Sequence, residues 1–317
     1  MLQERFEVPN LGWVQKLTSF SAAHHTLLCA AMHALIMHVL VQASSGEASE
    51  IPLTWSCGAA NKTNCSARPG AISHSQVGED MSLVQHVFCD VCTQQRTYLE
   101  IGALDGLKYS NTLMLERGYN WGGLLIEGLP QNAQALIAHR RKSGRNVIFN
   151  EAICSSTGTV NFTDHPNSGT AGVPELMSET YLKSWGKRFK AGWITVPCRP
   201  ISELIRLAGI RDIDFFSLDV EGAELLVLQT FDWTVRVKVF CIELMRGAEF
   251  DSQVRKLMHE HDYVETTAFR LGSNAVFIHG SLNRTLSSRI RHCKQSLGKR
   301  PCEQPHWPYS TGEYGSV

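Results

Sequence analysis

The stretch Tyr98-Leu99-Glu100-Ile101-Gly102-Ala103-Leu104-Asp105-Gly106 decides the fold of this 317-residue chain. A short apolar run holds one acid, two glycines flank a turn, and polar residues typical of a helix start follow at 110–112. This order predicts the first strand and turn of a doubly wound α/β domain, in which a nucleotide-like ligand lies at the carboxyl end of the strand. Glycine suits the turn because a Cβ atom would keep the backbone away from the ligand.

A second acid ends the next apolar run. Glu127 follows the run 123–126 and lies 21 residues beyond Gly106. A carboxylate about 20 residues beyond such a turn commonly binds ribose hydroxyls. The turn lacks the three-glycine dinucleotide fingerprint, because Leu104 takes the place of the middle glycine. That difference disfavours a nicotinamide-dependent oxidoreductase.

A third element follows further along the chain. An apolar strand at 213–218 runs into Asp219-Val220-Glu221-Gly222, and a helix pattern begins at once. Carboxylates crowded at a strand end are costly unless a cation or hydrogen-bond donors meet them. They also suit the positive end of a helix dipole, or cap the helix, so a purely structural role stays open.

Together these segments resemble the FkbM-type methyltransferases, which use S-adenosylmethionine and have the class I Rossmann-like fold. The resemblance covers about residues 97–280. It rests on Glu-Ile-Gly-Ala-x-Asp-Gly at 100–106, Ser-Asn-Thr at 110–112, Leu-Leu-Ile-Glu at 124–127, Glu-Ala-Ile-Cys at 151–154 and Leu-Asp-Val-Glu-Gly-Ala-Glu at 218–224. The chain departs from the family pattern at Leu104, where members often carry Asn, and at Gly128-Leu129-Pro130.

The resemblance implies a cofactor site beside an acceptor site. Its implied cofactor-binding residues are Glu100, Gly102, Ala103, Asp105, Gly106, Asn111, Glu127, Glu151 and Ala152. Among them, Glu127 would bind the ribose hydroxyls, and the turn at 151–152 would lie beside the adenine. Asp219 and Glu221 would face the methyl acceptor as the catalytic residues. Asp219 is the first choice as base or positioning residue, acting alone or by holding a divalent cation.

Four further residues are weaker candidates. Glu243, at the end of another apolar run, could line the acceptor pocket, and His165 could be a base or metal ligand. Trp185 and Trp193 could stack on a sugar face or simply form the core of a long insertion at 161–197. Such insertions often cover a site, although a surface role is equally open.

Composition narrows the class of partner. The chain has 30 basic and 30 acidic side chains, so its formal net charge gives no indication of a nucleic-acid surface. The basic run at 139–142 lies late in a predicted helix and is interpreted as a solvated face. We therefore expect a small-molecule or glycan acceptor and no nucleic acid.

The N-terminal region indicates a compartment. Residues 26–41 form the longest apolar stretch, with Arg5 and Lys16 before it and a small-residue sequence at 41–43 that resembles a cleavage site. A cleaved signal, a single-pass signal anchor and a buried helix all remain open. We expect entry into the secretory pathway, with a cytoplasmic location as the alternative.

Sequons and cysteines favour the same compartment. Four sequons begin at Asn61, Asn64, Asn161 and Asn283, and the chain has ten cysteines. The disulfide candidates are the flanking cysteines Cys57, Cys65, Cys293 and Cys302. Cys154 and Cys241 fall in predicted buried strands, and Cys89-Asp90-Val91-Cys92 lies in a predicted helix without a second pair at zinc-finger spacing.

Four regions follow from these patterns. They are a signal or signal anchor at 1–43, a stem at 44–77, the methyltransferase domain at 78–280 and a basic tail without a clear core at 281–317. In the domain, alternating patterns predict a mostly parallel sheet closed by an antiparallel hairpin. The predicted strands are 97–101, 123–127, 146–152, 213–219, 237–243, 263–269 and 274–279; the predicted helices are 79–95, 110–117, 131–142, 201–208, 222–230 and 250–260.

The sequence thus predicts an S-adenosylmethionine-dependent O-methyltransferase acting on a hydroxyl, with sugars or glycans favoured by a lumenal compartment. The alternative is a catalytically weak relative that binds a membrane-protein client in the early secretory pathway. The acids at 100, 127 and 219 favour the enzyme, and Leu104 favours the alternative.

Overall fold

The computed structural model describes residues 72–89, 95–165, 169–185 and 192–296. All of them belong to the compact unit Pro52–Val317. The predicted signal or anchor at 1–43, most of the stem, the sequons at Asn61 and Asn64, and Cys57, Cys65 and Cys302 lie outside the described residues. Within the described ranges, no helix is long and apolar enough to cross a membrane.

The described chain alternates strands and helices as the sequence pattern predicts. In order, the elements are α1 Glu79–His86, β1 Thr97–Ile101, α2 Leu113–Tyr119, β2 Gly122–Ile126, α3 Pro130–Arg140, β3 Asn146–Phe149, β4 Ala152–Ile153, β5 Gly158–Thr163, α4 Glu179–Trp185, β6 Trp193–Arg199, α5 Ile201–Ala208, β7 Asp212–Leu218, α6 Glu224–Gln229, β8 Arg236–Glu243, α7 Ala248–Glu260, β9 Tyr263–Glu265, β10 Asn274–His279, α8 Gly280–Asn283 and α9 Leu286–Ser296.

A seven-stranded sheet forms the centre, in the order β3-β2-β1-β7-β8-β10-β9. The five neighbouring strands β3, β2, β1, β7 and β8 are parallel to one another, and β10 runs antiparallel to both β8 and β9. The doubly wound class I arrangement with its closing hairpin is therefore confirmed. Its order reverses between β1 and β7, and ligands bind at such a switch point in open α/β sheets.

Two apolar layers cover the sheet because successive strand side chains point to opposite faces. Leu99 and Phe216 face the layer formed with α5, α6 and α7, whereas Tyr98 and Phe215 face the layer formed with α1, α2 and α3. The side chains of all four residues are fully buried. The strands are therefore apolar on both faces, as expected of a covered parallel sheet.

Several elements differ from the sequence prediction, and the strand predicted at 263–269 is one of them, since β9 ends at Glu265. Helix α1 ends at His86, and not at 95, because Val87 and Phe88 turn into the core and are fully buried. The strand predicted at 146–152 divides into β3 and β4, which belong to different sheets. The tail beyond 280 has a core after all, since Leu282 and Leu286 of α8 and α9 pack on the face that holds α1.

The insertion forms a small sheet of its own, in the order β4-β6-β5, where the sequence predicts only an interruption. A disulfide joins Cys154, just after β4, to Cys198 in β6. A second disulfide joins Cys89 to Cys293 of α9. The prediction for Cys293 is confirmed, whereas the prediction that favoured the flanking cysteines over Cys154 is wrong. Among the described cysteines, Cys241 is free and buried.

Arg140 is the exception in the solvated face predicted at 139–142, because its side chain is fully buried while His139, Arg141 and Lys142 are exposed. Its Nε donates to Glu116 Oε2 at 2.5 Å, and its Nη2 donates to the Tyr98 hydroxyl at 3.0 Å. Its Nη1 donates to Ser110 Oγ and to the carbonyl of Gly106, both at 3.0 Å. One buried guanidinium thus ties α3 to β1, α2 and the glycine turn.

Candidate active site

The carboxyl ends of the parallel strands open into one cavity of about 1350 Å³. Eight of the predicted site residues line it: Glu100, Gly102, Asn111, Glu127, Glu151, Ala152, Asp219 and Glu221. The weaker candidates Glu243 and His165 line it too. Sequence patterns separated by more than 100 residues therefore meet at the switch point, as the topology requires.

The glycine turn is held tightly against its neighbours. Gly102 has φ +82°, and a Cβ atom there would lie 1.9 Å from the carbonyl oxygen of Asp219. The amides of Gly102 and Ala103 both donate to the carbonyl of Ile126 at 3.1 Å. Leu104 is left-handed at φ +49°, a conformation that is uncommon outside glycine. The backbone here is fixed by β2 and β7 together.

Glu127 fastens this turn to the segment after β2. Its Oε2 accepts from the amide of Leu104 at 2.9 Å, and its Oε1 accepts from the amide of Leu129 at 2.8 Å. Burial raises the pKa of Glu127 to about 7, although these hydrogen bonds oppose the shift. These hydrogen bonds orient both carboxylate oxygens, and each oxygen can accept a further hydrogen bond from a ligand in the cavity.

Glu100 organises the polar segment at 110–112. Its carboxylate accepts from Ser110 Oγ at 3.0 Å, from Thr112 Oγ1 at 2.5 Å and from the amide of Asn111 at 2.7 Å. Burial raises its pKa, and the charge of Arg140 opposes that effect. Asn111 then donates from Nδ2 to Ser217 Oγ at 2.9 Å, while its buried Oδ1 has no partner among the described residues.

Three predicted cofactor-binding residues do not line the cavity. Ala103 is fully buried. Asp105 Oδ1 accepts from the amides of Leu107 and Lys108 at 2.9 and 2.8 Å and so closes the turn. A Cβ atom on Gly106 would lie 2.6 Å from Leu136 and 2.7 Å from Arg140. These residues shape the turn in this structure, and their contact with a cofactor stays a prediction.

The small sheet forms the opposite wall. Glu151 pairs with Arg199 at 2.7 Å, and Ala152, Ile153 and Phe162 line the cavity. His165 also lines it, and its Nδ1 is 3.1 Å from Thr170 Oγ1. Trp193 is 62% exposed and does not line the cavity. The side chain of Trp185 lies outside the described side chains.

Four carboxylates meet at the ends of β7 and β8 around a single guanidinium. Arg246 Nη2 lies 2.6 Å from Glu221 Oε2, 3.0 Å from Glu243 Oε2 and 3.9 Å from Glu224 Oε1. Glu224 Oε1 also accepts from the amides of Val220 and Gly222, both at 3.2 Å, so it caps the turn before α6. The fourth carboxylate is that of Asp219, whose pKa responds to Glu243, Glu221 and Glu224.

Burial and mutual repulsion raise the pKa values of these four carboxyl groups. The pKa of Asp219 is well above its usual value, first because of burial and then because of the neighbouring carboxylates. Burial raises the pKa of Glu221 to about 7, against the effect of Arg246. Burial also raises the pKa values of Glu224 and Glu243. Such clustering of raised carboxyl pKa values in a cavity is typical of a functional site.

Sequence reasoning missed two residues of this wall, Arg246 and Tyr181. The guanidinium carbon of Arg246 lies 4.8 Å from the centre of the Tyr181 ring, and the Tyr181 hydroxyl donates to the carbonyl of Thr170 at 3.1 Å. The only available signal was a basic residue three positions after the acid that ends β8. The sequence of α4 gives no indication that Tyr181 lies in the cavity wall, because that position depends on how the insertion folds back over the main sheet.

Residues 100–265, just over half of the chain, match the family described as "Methyltransferase FkbM domain". No curated protein matches the chain.

Solved structures of several methyltransferases are similar to the chain. Fibrillarin from Aeropyrum pernix, in complex with natively bound S-adenosyl-L-methionine, is 10% identical with a TM-score of 0.35, over 62% of this chain and 73% of that one. Precorrin-6y C5,15-methyltransferase from Geobacter metallireducens is 11% identical with a TM-score of 0.32, over 62% and 85%. A human methyltransferase 10 domain containing protein is 11% identical with a TM-score of 0.35, over 66% and 84%.

Proposed function

Since the chain belongs to the methyltransferase FkbM domain family and is an S-adenosylmethionine-dependent methyltransferase, we propose that its acceptor is a hydroxyl group. We propose further that a sugar or glycan in the secretory pathway carries this hydroxyl. The observation that carries the hydroxyl acceptor is the group of carboxylates at the ends of β7 and β8. Three of these acids, Asp219, Glu221 and Glu243, line the same cavity as the glycine turn. The two disulfides support the compartment.

The cavity fits S-adenosylmethionine, which supplies a methyl group on a positively charged sulfur. Gly102 lines the cavity, and its missing Cβ atom lets the glycine turn pack directly on the backbone carbonyl of Asp219. The unpartnered Oδ1 of Asn111 would accept from the ammonium group of the cofactor. Glu127 would accept from the ribose hydroxyls. Ala152 and Phe162 would lie beside the adenine.

Asp219 is the proposed base or positioning residue. It follows β7 directly, lines the cavity, and lies against Gly102 of the cofactor turn. A carboxylate there can accept the hydrogen bond of an acceptor hydroxyl, orient its oxygen, and take its proton as the new bond forms. Glu221 is the second residue for this role, and Arg246 holds its carboxylate at 2.6 Å.

A hydroxyl suits this wall better than a carboxylate acceptor. The acids Asp219, Glu221 and Glu243 line the cavity, and each offers oxygens that accept hydrogen bonds. An acceptor that carries several hydroxyls can donate to more than one of them, whereas an anionic acceptor would be repelled. Sugars have this pattern of neighbouring hydroxyl donors.

The secretory location is supported by the two disulfides. Cys154–Cys198 and Cys89–Cys293 lie within the described domain, and disulfides persist mainly in oxidising compartments. Asn161 of the sequon at 161–163 is exposed on β5. This compartment favours a glycan as the acceptor. A single-pass anchor before residue 44 would hold the domain at the lumenal membrane surface.

Calorimetric titration of the full chain with S-adenosylmethionine, and with its demethylated product, tests the proposal first. We expect micromolar binding that is lost in Glu127→Ala. Transfer of labelled methyl to hydroxyl-bearing sugars should then fall by about 100-fold or more in Asp219→Asn, while cofactor affinity changes only a few-fold.

Two results would contradict the proposal. Absence of cofactor binding to a folded protein would instead favour a catalytically weak relative that binds a membrane-protein client. Labelling of amines in preference to hydroxyls would leave the cofactor site intact and overturn the choice of acceptor.

A further inference from the structure

Among the four carboxylates at the ends of β7 and β8, two oxygens are buried and receive no hydrogen bond from the described residues. They are Asp219 Oδ1 and Glu224 Oε2. Glu224 is fully buried, and its other oxygen is already used by the amides of Val220 and Gly222. A buried carboxylate oxygen without a partner is costly, so its persistence points to a missing ligand.

A third carboxylate completes the set. One oxygen from each of Asp219, Glu224 and Glu243 lies within 4.8 Å of the other two. Two ligands on opposite sides of a calcium ion are separated by about 5 Å, because each bond is about 2.3–2.6 Å long. Adjacent ligands, and ligands of the smaller magnesium ion, lie closer. The three oxygens therefore fall within the span of one coordination sphere.

Arg246 neutralises only part of the negative charge of Asp219, Glu224 and Glu243. Its closest contacts are with Glu221 and Glu243, and it stays 3.9 Å from Glu224 Oε1, the oxygen that is already hydrogen-bonded. The other basic residues that line the cavity in the described part of the chain are Lys108 and His165. The charges that act most strongly on Asp219 are those of Glu243, Glu221, Glu224 and Arg246. Four acids thus share one guanidinium.

We infer that Asp219, Glu224 and Glu243 bind an oxygen-preferring divalent cation, such as Ca²⁺ or Mg²⁺, at the acceptor side of the cavity. A set of carboxylates without nitrogen or sulfur ligands favours this class of ion over Zn²⁺ or Cu²⁺. The three ligands come from the end of β7, the start of α6 and the end of β8, so the folded sheet brings them together. Water or the acceptor would supply the remaining ligands.

The role of the ion rests on the proposed function. A cation held by Asp219 beside the acceptor would bind the hydroxyl oxygen and make its proton easier to remove. The ion site itself can be measured without cofactor, acceptor or turnover. Failure of ion binding is therefore distinguishable from failure of methyl transfer.

The test uses the full chain, freed of metal by EDTA and dialysis. Calorimetry with CaCl₂ and with MgCl₂ should show one ion per chain, and Mn²⁺ should give a bound-ion signal by electron paramagnetic resonance. Saturating ion should also raise the Tm, because ligands that bind only the folded state stabilise it. We expect Glu224→Gln and Asp219→Asn each to weaken ion binding roughly tenfold or more.

Glu249→Gln is the matched control, because Glu249 is an exposed acid in α7 outside the set. It should leave ion affinity unchanged. Two variants are used so that one remains informative if the other fails to fold. The inference is overturned if none of the three ions binds the folded wild-type chain, or if binding survives both substitutions. In that case a proton shared between Asp219 and Glu243 would account for the buried oxygens.

Discussion

A Cβ atom on Gly102 would lie 1.9 Å from the backbone carbonyl oxygen of Asp219. The amide of Asp219 in turn donates to the carbonyl of Ile101 at 3.3 Å. The turn proposed to hold the cofactor and the residue proposed to act on the acceptor are therefore in direct backbone contact. A displacement of one moves the other, so the two halves of the site are built as one unit.

We expect Gly102→Ala to abolish cofactor binding and to destabilise the fold by several kcal/mol. The positive φ alone costs about 1 kcal/mol, and the clash with Asp219 adds to it. Calorimetry and chemical denaturation measure the two effects. Gly209→Ala separates them, because Gly209 has φ +69° with nothing within 4 Å of its added Cβ atom. A similar loss of stability in both variants would show that the contact with Asp219 is unimportant.

Cofactor binding should tighten as pH rises through the raised pKa of Glu127, which is about 7. The ionised carboxylate accepts hydroxyl hydrogen bonds better than the protonated form does, so binding favours the ionised state. We expect affinity to increase roughly tenfold between pH 6 and pH 8. Calorimetry in buffers across this range measures it. Glu127→Gln should bind weakly with a flatter pH profile, and an unchanged profile would contradict the role of Glu127.

Without cofactor, the same residue gives stability the opposite pH dependence. The unfolded chain releases this proton near pH 4.5, whereas the folded chain retains it until about pH 7. The free energy of unfolding should therefore fall as pH rises between these values, by about 3 kcal/mol from this group. Denaturation of wild type and Glu127→Gln at matched pH values isolates the contribution of Glu127. A wild-type curve parallel to that of the variant would refute the assignment.

Arg140→Met should cost about 3–5 kcal/mol, because it removes the fully buried guanidinium that is the closest charged partner of the Glu116 carboxylate. Urea denaturation measures this loss. Arg255→Met is the control, since the Arg255–Glu265 pair is largely exposed and should be worth 1 kcal/mol or less, about the usual value for such pairs. If the two variants lost equal stability, the buried contacts of Arg140 would stabilise the fold no more than an exposed ion pair does.

Breaking Cys154–Cys198 should destabilise the small sheet and weaken cofactor binding. The bond closes a loop of 44 residues, which corresponds to about 4 kcal/mol in the chain-entropy account. Thermal unfolding of Cys154→Ser, Cys198→Ser and the double variant measures it. Both single variants should equal the double variant, because either one removes the bond. Additive losses would mean that packing of the two sulfurs, and not the covalent bond, supplies the stability.

Regular elements were the easiest features to predict from the sequence. Helix 201–208 and strand 274–279 lie where the patterns place them, because each has clear apolar periodicity and defined ends. The meeting of Glu100, Glu127 and Asp219 followed from topology, since parallel strands end at one edge.

Features that depend on tertiary packing were not predicted. The partnership of Cys154 with Cys198 requires knowing that β4 leaves the main sheet and pairs with β6. The burial of Arg140 requires the acceptors of α2 and β1 to surround it, and a run of basic residues looks the same whether solvated or buried. Arg246 was missed for the same reason.

The bond between Cys89 and Cys293 makes most of the methyltransferase domain a covalent ring, since 204 positions separate the two cysteines. A single peptide cleavage anywhere between them would open the ring without releasing a fragment. Both pieces would stay on one molecule and migrate separately only after reduction. The disulfide would thus keep a cleaved domain in one molecule, a property that would suit the secretory location proposed for it.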